Sequence, residues 1–466
     1  MKLDVTKKSL LKLFTIIIFI LLASIDNGVL EMAPSIYKDI INAIGTTELF
    51  LGVSNSSLIW MTSTTAILWA FQGDKGNRKR LLLIGTLIWA SSLLFTPLVI
   101  NEISWFLVQT ITGIGLGCIA SVGFSIITDI VSPHRRGLAM SIFGLAQVIG
   151  SASGKAIAAI VVTDPNKWFY PFIIFSIGGF ILIFLFLFTL DPKRGSTEVE
   201  FTLEDTTYDY TIKKKDLPYI IRKRTNINLI IQGFFGQVFW GALTWVPFLF
   251  TSRLLKQGFS EGDATFTGNL IAAIFFLGGF FGVIWGAIGD KMKRKNIKKR
   301  PLVGLLGIMV GIPFFIAMLL IQFDISTLTS ASSQFDIILG LIQETLSGNR
   351  ILFMFVVSFI AAAFLSAELP NSLALGIDIN LPEHRGTTFS LANFAMGIGR
   401  GMGSILVPMI ASLLVPQVPS PDNIAWAINI LISSLGGQVW FLLRASNSSE
   451  KDYLEVKEIL TKRAKT

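Results

Sequence analysis

Cysteine, histidine and charge are all scarce in these 466 residues. The single Cys118 permits no internal disulfide, so a disulfide scaffold is excluded. The only histidines, His134 and His384, sit in polar turns, so neither a zinc cluster nor an intramembrane haem pair can be assembled. No nucleophile, base and orienting group stand at a useful spacing. The chain is therefore not expected to be an enzyme, and no metal or cofactor is expected. Charged residues make up 15%, against ~25% in a soluble globular chain. That is too little to wet a soluble particle of this size. With 52% apolar residues, disorder and coiled coil are excluded too. What is abundant is Phe (38) and Gly (41), and mean hydropathy is +0.66. Glycine lets helices approach closely in lipid. The composition is that of an all-α integral membrane protein.

Twelve apolar stretches approach the ~20 residues that span a bilayer as a helix. They lie at 11–37, 56–73, 81–100, 104–131, 137–163, 168–190, 227–252, 267–289, 301–323, 351–381, 386–415 and 423–444. Lys and Arg are distributed unevenly over the connections. The N-terminal side holds 32 of them, and the opposite side holds five: Lys38, Lys167, Arg253, Lys256 and Arg350. The positive-inside rule places both termini in the cytoplasm. The net charge of +9 is thus a topology signal with affinity for anionic lipid heads, and nucleic-acid binding is not expected. The first stretch is longer than a signal-peptide core and lacks a small-x-small cleavage site, so it is expected to remain as a span. The one long polar segment divides the chain. The expected organisation is a six-helix bundle at 1–190, a cytoplasmic linker at 191–226, a second six-helix bundle at 227–445 and a charged cytoplasmic tail at 446–466.

The two halves repeat each other. Gly73-Asp74-Lys75 with Arg78-Lys79 follows span two, and Gly289-Asp290-Lys291 with Arg294-Lys295 follows span eight. Asp129 through Pro133 to Arg136-Gly137 follows span four, and Asp378 through Pro382 to Arg385-Gly386 follows span ten. A glycine ladder comes next in each half, Gly150 and Gly154 in one and Gly399 and Gly403 in the other. Paired six-span repeats around a linker are an architecture of secondary transporters.

With these motifs the chain resembles the major facilitator superfamily over essentially its whole length. The Asp74 and Asp290 loops look like that family's signature and its second-half echo. Gln232-Gly233-Phe234-Phe235-Gly236 with Trp240-Gly241 is similar to spinster-like members, as is Pro382-Glu383-His384-Arg385-Gly386-Thr387 followed by Gly399-Arg400-Gly401. Spinster-like proteins usually carry Asp-Arg in helix one and Gly-Glu in helix four. Here the corresponding pairs are Asp26-Asn27 and Gly115-Leu116, and Gln109 stands where the superfamily commonly has Arg.

Two groups of residues are candidates for function. The first is a cytoplasmic gate of Asp74, Arg78, Asp290, Arg294, Asp129, Arg136, Asp378 and Arg385, in which Asp74 pairs with Arg78 and Asp290 with Arg294. Such contacts exist only while the cytoplasmic ends are packed together. An ordinary polar turn that sets topology is the plainer alternative. The second group is the set of ionisable residues inside apolar stretches, which cost roughly 2.5–3.5 kcal/mol each at a helix centre. Asp26 and Glu31 lie in span one, about 140° apart on an ideal helix, so both cannot face one spot. Glu368 lies in span ten before Pro370, and Arg400 lies in span eleven. Lys155 binds an anionic solute, pairs with Asp26 or Glu31, or snorkels outward. Gln237 and Trp240 fall on one face of span seven with Thr244, as a cavity lining or as packing. A phosphate-loop likeness at Gly150 to Lys155 fails on spacing and on Ala156.

The expected function is secondary active transport of a small organic solute by alternating access, coupled to a proton in preference to sodium. The solute is expected to be amphipathic and anionic or zwitterionic. A passive facilitator or lipid scramblase of the same fold is the alternative. The expected setting is the cell membrane, as a multi-pass monomer.

Overall fold

The computed structural model describes residues 2–75, 77–119, 122, 136–162, 167–190, 217–348 and 350–463, with backbone alone for 2–9, 74, 75, 136–145, 276, 382 and 383. The described residues form helices and turns without a strand. The chain divides into two compact units, Met1–Asp209 and Tyr210–Thr466.

The first unit contains α1 (Lys2–Ser35), α2 (Tyr37–Ile44), α3 (Glu48–Lys75), α4 (Arg78–Leu94), α5 (Glu102–Cys118), α6 (Arg136–Val161) and α7 (Tyr170–Phe186). Local chemistry sets several of the ends. The Asn77 side chain accepts from the Arg80 amide, and Asn101 forms a capping box with Ser104, so both helices begin with satisfied donors. Gly45, at φ 66°, closes α2 in the left-handed region. α1 packs on α6 and α7, α3 on α5, and α4 on α5 and α7.

The second unit contains α8 (Leu217–Arg222), α9 (Arg224–Ala242), α10 (Val246–Lys256), α11 (Glu261–Leu277), α12 (Gly282–Lys295), α13 (Lys299–Leu320), α14 (Gln334–Leu346), α15 (Arg350–Leu365), α16 (Glu368–Asp378), α17 (Pro382–Leu414), α18 (Asp422–Leu431) and α19 (Ser434–Arg463). Its pairings reproduce those of the first unit. α9 packs on α17 and α19, α11 on α15, and α13 on α15 and α19. The glycine ladders explain the closest of these crossings. A Cβ on Gly150 of α6 would lie 1.9 Å from the Ser24 carbonyl of α1, and one on Gly403 of α17 would lie 2.0 Å from the Val238 carbonyl of α9. Backbones this close admit glycine alone.

Eight helical stretches among the described residues are long and apolar enough to cross a membrane. They are Leu10–Ser35, Arg78–Leu98, Arg224–Lys256, Glu261–Lys295, Lys299–Leu320, Arg350–Asp378, His384–Leu414 and Asp422–Lys462. Large apolar side chains such as Leu87, Met309, Phe353 and Leu413 lie exposed along them, as lipid-facing helices require. Three stretches that read as single spans are interrupted. A 3-10 turn at Leu243–Trp245, just before Pro247, separates α9 from α10, and another at Gly278–Phe281 separates α11 from α12. α15 gives way to α16 just before Glu368 and Pro370. There the Ala363 carbonyl accepts from the Trp285 indole at 2.7 Å and from the Ser366 hydroxyl at 2.8 Å. Beyond the last apolar stretch α19 continues as a helix to Arg463. It is fastened by Tyr219 to Glu455 at 2.7 Å and by the Thr225 amide to Asp452 at 3.1 Å. Burial and the Glu455 contact push the Tyr219 phenol up, while burial pulls the Lys223 ammonium down.

Candidate functional site

In the second unit, α9, α16, α17 and α19 line a partly open cavity of about 50 Å³. Glu368 enters it from the first turn of α16, where the helix break places its side chain among apolar neighbours. It is 9% exposed, and its Oε1 atom is buried without a hydrogen-bond partner. Gln232, Ser372 and Gln438 are its polar neighbours in the lining. Gln438 donates to Gln232 at 3.1 Å, and Gly236 makes room for it, since a Cβ there would lie 2.3 Å from the Gln438 amide nitrogen. Gln237 and Trp240 line the same cavity. Thr244 does not; its hydroxyl donates to the Gly241 carbonyl at 2.7 Å within the 3-10 turn. Arg400 is half-buried on α17, its backbone carbonyl pressed against Gly241. The cavity is polar and roomy enough to admit water beside Glu368.

In the first unit the structure separates the two acids of α1, as their spacing requires. Glu31 forms an ion pair with Lys155 of α6 at 3.1 Å, both side chains nearly shielded from solvent. Asp26 is buried, and neither of its carboxylate oxygens has a hydrogen-bond partner. Lys155 therefore neither snorkels nor stands open to an anion.

The second-half loop motifs meet through a residue outside both of them. Arg300, buried at the start of α13, donates to Asp378 at 2.8 Å and also pairs with Asp290. Lys293 joins Asp378 at 2.6 Å. The partner of Asp290 is thus Arg300, ten residues on, in place of Arg294, which lies exposed. The reason is helical geometry: α12 runs on to Lys295, and Arg294 on that helix points away while the next helix brings Arg300 back. Arg385 caps the end of α16 by donating to the carbonyls of Ile377 at 3.1 Å and Asn380 at 3.3 Å. Arg78 holds the place in α4 that Arg300 holds in α13 and is likewise buried. Asp129 lies outside the described residues, as do the side chains of Asp74 and Arg136.

Sequence reasoning singled out neither Arg300 nor Gln438. A base in the first turn after a G-D-K loop, and an amide in an otherwise apolar last stretch, were the available signals.

Helices of this length and apolarity, repeating one pattern of pairings in both units, define a multi-pass membrane protein. The chain belongs to the Major Facilitator Superfamily, whose profile matches residues 15–343. It is 25% identical to Protein spinster of Drosophila melanogaster over 256 residues, covering 53% of this chain and 41% of that protein. It is also 25% identical to the sphingosine-1-phosphate transporter SPNS2 of Danio rerio over 290 residues, 58% and 55% of the two chains. The chain spans about half the length of the curated relatives it matches. Among solved structures, a bacterial homolog of the human lysosomal transporter Spinster aligns with TM-score 0.66 at 19% identity, covering 96% of both chains. A D-xylose–proton symporter aligns with TM-score 0.64 at 15% identity, covering 91% of this chain and 96% of that one. These likenesses show the shared fold.

Proposed function

We propose that the protein is a secondary transporter that moves an amphipathic, zwitterionic or anionic solute by alternating access, coupled to a proton through Glu368. The observation that carries this reading is the buried Glu368, one of whose oxygens has no hydrogen-bond partner, in a cavity with no base in its lining. A carboxylate shut away from water without a counter-charge takes up a proton, and it releases that proton when water reaches it. Asp26 is the second such acid. Lys155 is already neutralised by Glu31, so a purely anionic cargo has no free base there, and a zwitterion suits the first unit better. The relatives named for sphingosine 1-phosphate, which carries an amine and a phosphate, support that class.

The remaining elements of the proposal follow from the sequence. Twelve spans form two six-helix halves at 1–190 and 227–445, joined by the linker 191–226 and followed by the tail 446–466. Both termini are cytoplasmic, because the bases lie on that side. The protein works as a monomer in the cell membrane. The network of Asp290, Lys293, Arg300 and Asp378 then lies at the cytoplasmic end, and with its first-half counterpart it acts as the gate.

The test is a thermal-shift screen of purified protein against lysolipids, sphingosine 1-phosphate, sugars, organic anions and drugs. An amphipathic zwitterion should stabilise by mass action. Stabilisation by a sugar alone would contradict the proposed solute class.

A further inference from the structure

The segment 301–349 contains no Lys or Arg, and its acids are Asp324, Asp336 and Glu344. Within it lies α14, which falls in the connection between the apolar stretches 301–323 and 351–381. α14 packs against α11 and α15, and the residues it turns towards the protein are Ile337 and Leu341, 1% and 4% exposed. On another face stand Phe335, Leu339, Ile342 and Leu346, at 64%, 44%, 50% and 80% exposure. Their spacing of four, three and four gathers them into one stripe about 60° wide, some 150° round the helix from the buried pair. Gln343 lies on its polar flank.

The helix is held firmly in this orientation. The Ser332 and Ser333 hydroxyls donate to Asp336 at 2.5 and 2.8 Å, and the Ser333 hydroxyl caps the Asp336 amide. Thr327, from the preceding 3-10 turn, donates to Glu344 at 2.8 Å. A Cβ on Gly340 would lie 2.4 Å from the Leu328 side chain, so that turn seats directly on the helix. The two acids are thus tied to the preceding turn, off the apolar stripe, which is left open. It continues a belt that exists already, because Leu352, Phe353 and Val356 are exposed on the opening turns of α15, which α14 touches. In a chain that spans a bilayer, that belt faces hydrocarbon.

We propose that α14 is an interfacial helix that lies in the lipid surface beside the outer end of α15, with Phe335, Leu339, Ile342 and Leu346 in the acyl–headgroup boundary. Interfacial helices commonly add attraction between Lys or Arg and anionic lipid to their apolar burial. The helix itself carries no base, and the nearest one, Arg350, stands with Asp324 and Glu344 around one pocket, so its binding rests on apolar area, and it suits a zwitterionic surface such as phosphatidylcholine. α14 leads into α15 and α16, the helix pair that carries Glu368.

Single spin labels on the full chain in phosphatidylcholine nanodiscs test this, on a Cys118→Ser background that preserves the bond from this position to the Leu81 carbonyl. Labels are placed by Phe335→Cys, Leu339→Cys, Ile342→Cys and Leu346→Cys. Gln343→Cys is the polar control and Phe353→Cys the hydrocarbon control. The ratio of collisions with oxygen to collisions with a nickel chelate should be about threefold or more higher along the stripe than at Gln343→Cys, and should approach that at Phe353→Cys. Stripe labels as open to nickel as Gln343→Cys would place the helix in water and overturn the proposal. Labels shielded from both reagents would overturn it in favour of a protein partner, and a doubled particle mass would identify a second copy of this chain.

Discussion

Glu31 and Lys155 lie on different helices, and each removes the other's cost of burial. Taking away one partner strands the other, which costs about 3–5 kcal/mol for a buried pair. Lys155→Ala should therefore lower the melting temperature of the purified protein markedly, and adding Glu31→Gln should restore most of the loss. A Lys155→Ala variant as stable as wild type would contradict the pair. Arg300 serves two carboxylates at once, and only a planar fork reaches both. Arg300→Lys should keep Asp378 or Asp290 but not both, and cytoplasmic-side cysteine accessibility should rise. Unchanged accessibility would return the loop motifs to a topology-setting role. The buried acids themselves were legible, since an ionisable residue in an apolar stretch announces itself. Their partners were not. Lys155 had three possible fates on paper, and the separation of α1 from α6 decided among them. Arg300 lay beyond a helix end that spacing rules could not locate.

At the scale of elements, the glycine ladders were visible as a repeat, but their meaning came from the crossings of α1 with α6 and of α9 with α17. Gly403→Ala drives a methyl to within 2.0 Å of the Val238 carbonyl, whereas a Cβ on Gly386 of the same helix meets nothing within 4 Å. The first substitution should cost about 1–3 kcal/mol as overpacking, and Gly386→Ala should be nearly neutral. Equal melting temperatures for the two would refute the close crossing. The helix breaks were only partly legible: Pro247 and Pro370 marked two of them, and α14, whose apolar residues do recur at helical spacing, is too short to register as a span. That helix carries its own pH signature. Hydrogen bonds from Ser332 and Ser333 hold the Asp336 carboxyl below the usual range. For an acid whose folded value is depressed, the stabilisation is present above the unfolded value near ~3.9 and is lost as pH falls through the folded one. Protection of the amides in 334–346, taken relative to intrinsic exchange at each pH, should hold at neutral pH and fall only below about pH 4. A fall already between pH 5 and 6 would contradict the cap.

For the molecule as a whole, paired loop motifs at matching places raise the expectation of a repeat. Among the described helices, one set of pairings is used in both units. Membership of the Major Facilitator Superfamily follows from the match over residues 15–343. The cavity beside Glu368 was legible only in part. Glu368, Gln237 and Trp240 were candidates from sequence, but their convergence with Gln232 and Gln438 depends on how α9, α16 and α19 cross. The account turns on whether that cavity couples solute movement to protons. The most direct measurement is uptake of labelled sphingosine 1-phosphate and lysophosphatidylcholine into proteoliposomes under an imposed pH gradient, with and without a protonophore. Wild type should accumulate at least one of them above equilibrium and lose the accumulation with the protonophore. Glu368→Gln should exchange solute but never concentrate it. Uptake indifferent to the protonophore, full accumulation by Glu368→Gln, or no uptake of either solute would contradict the account.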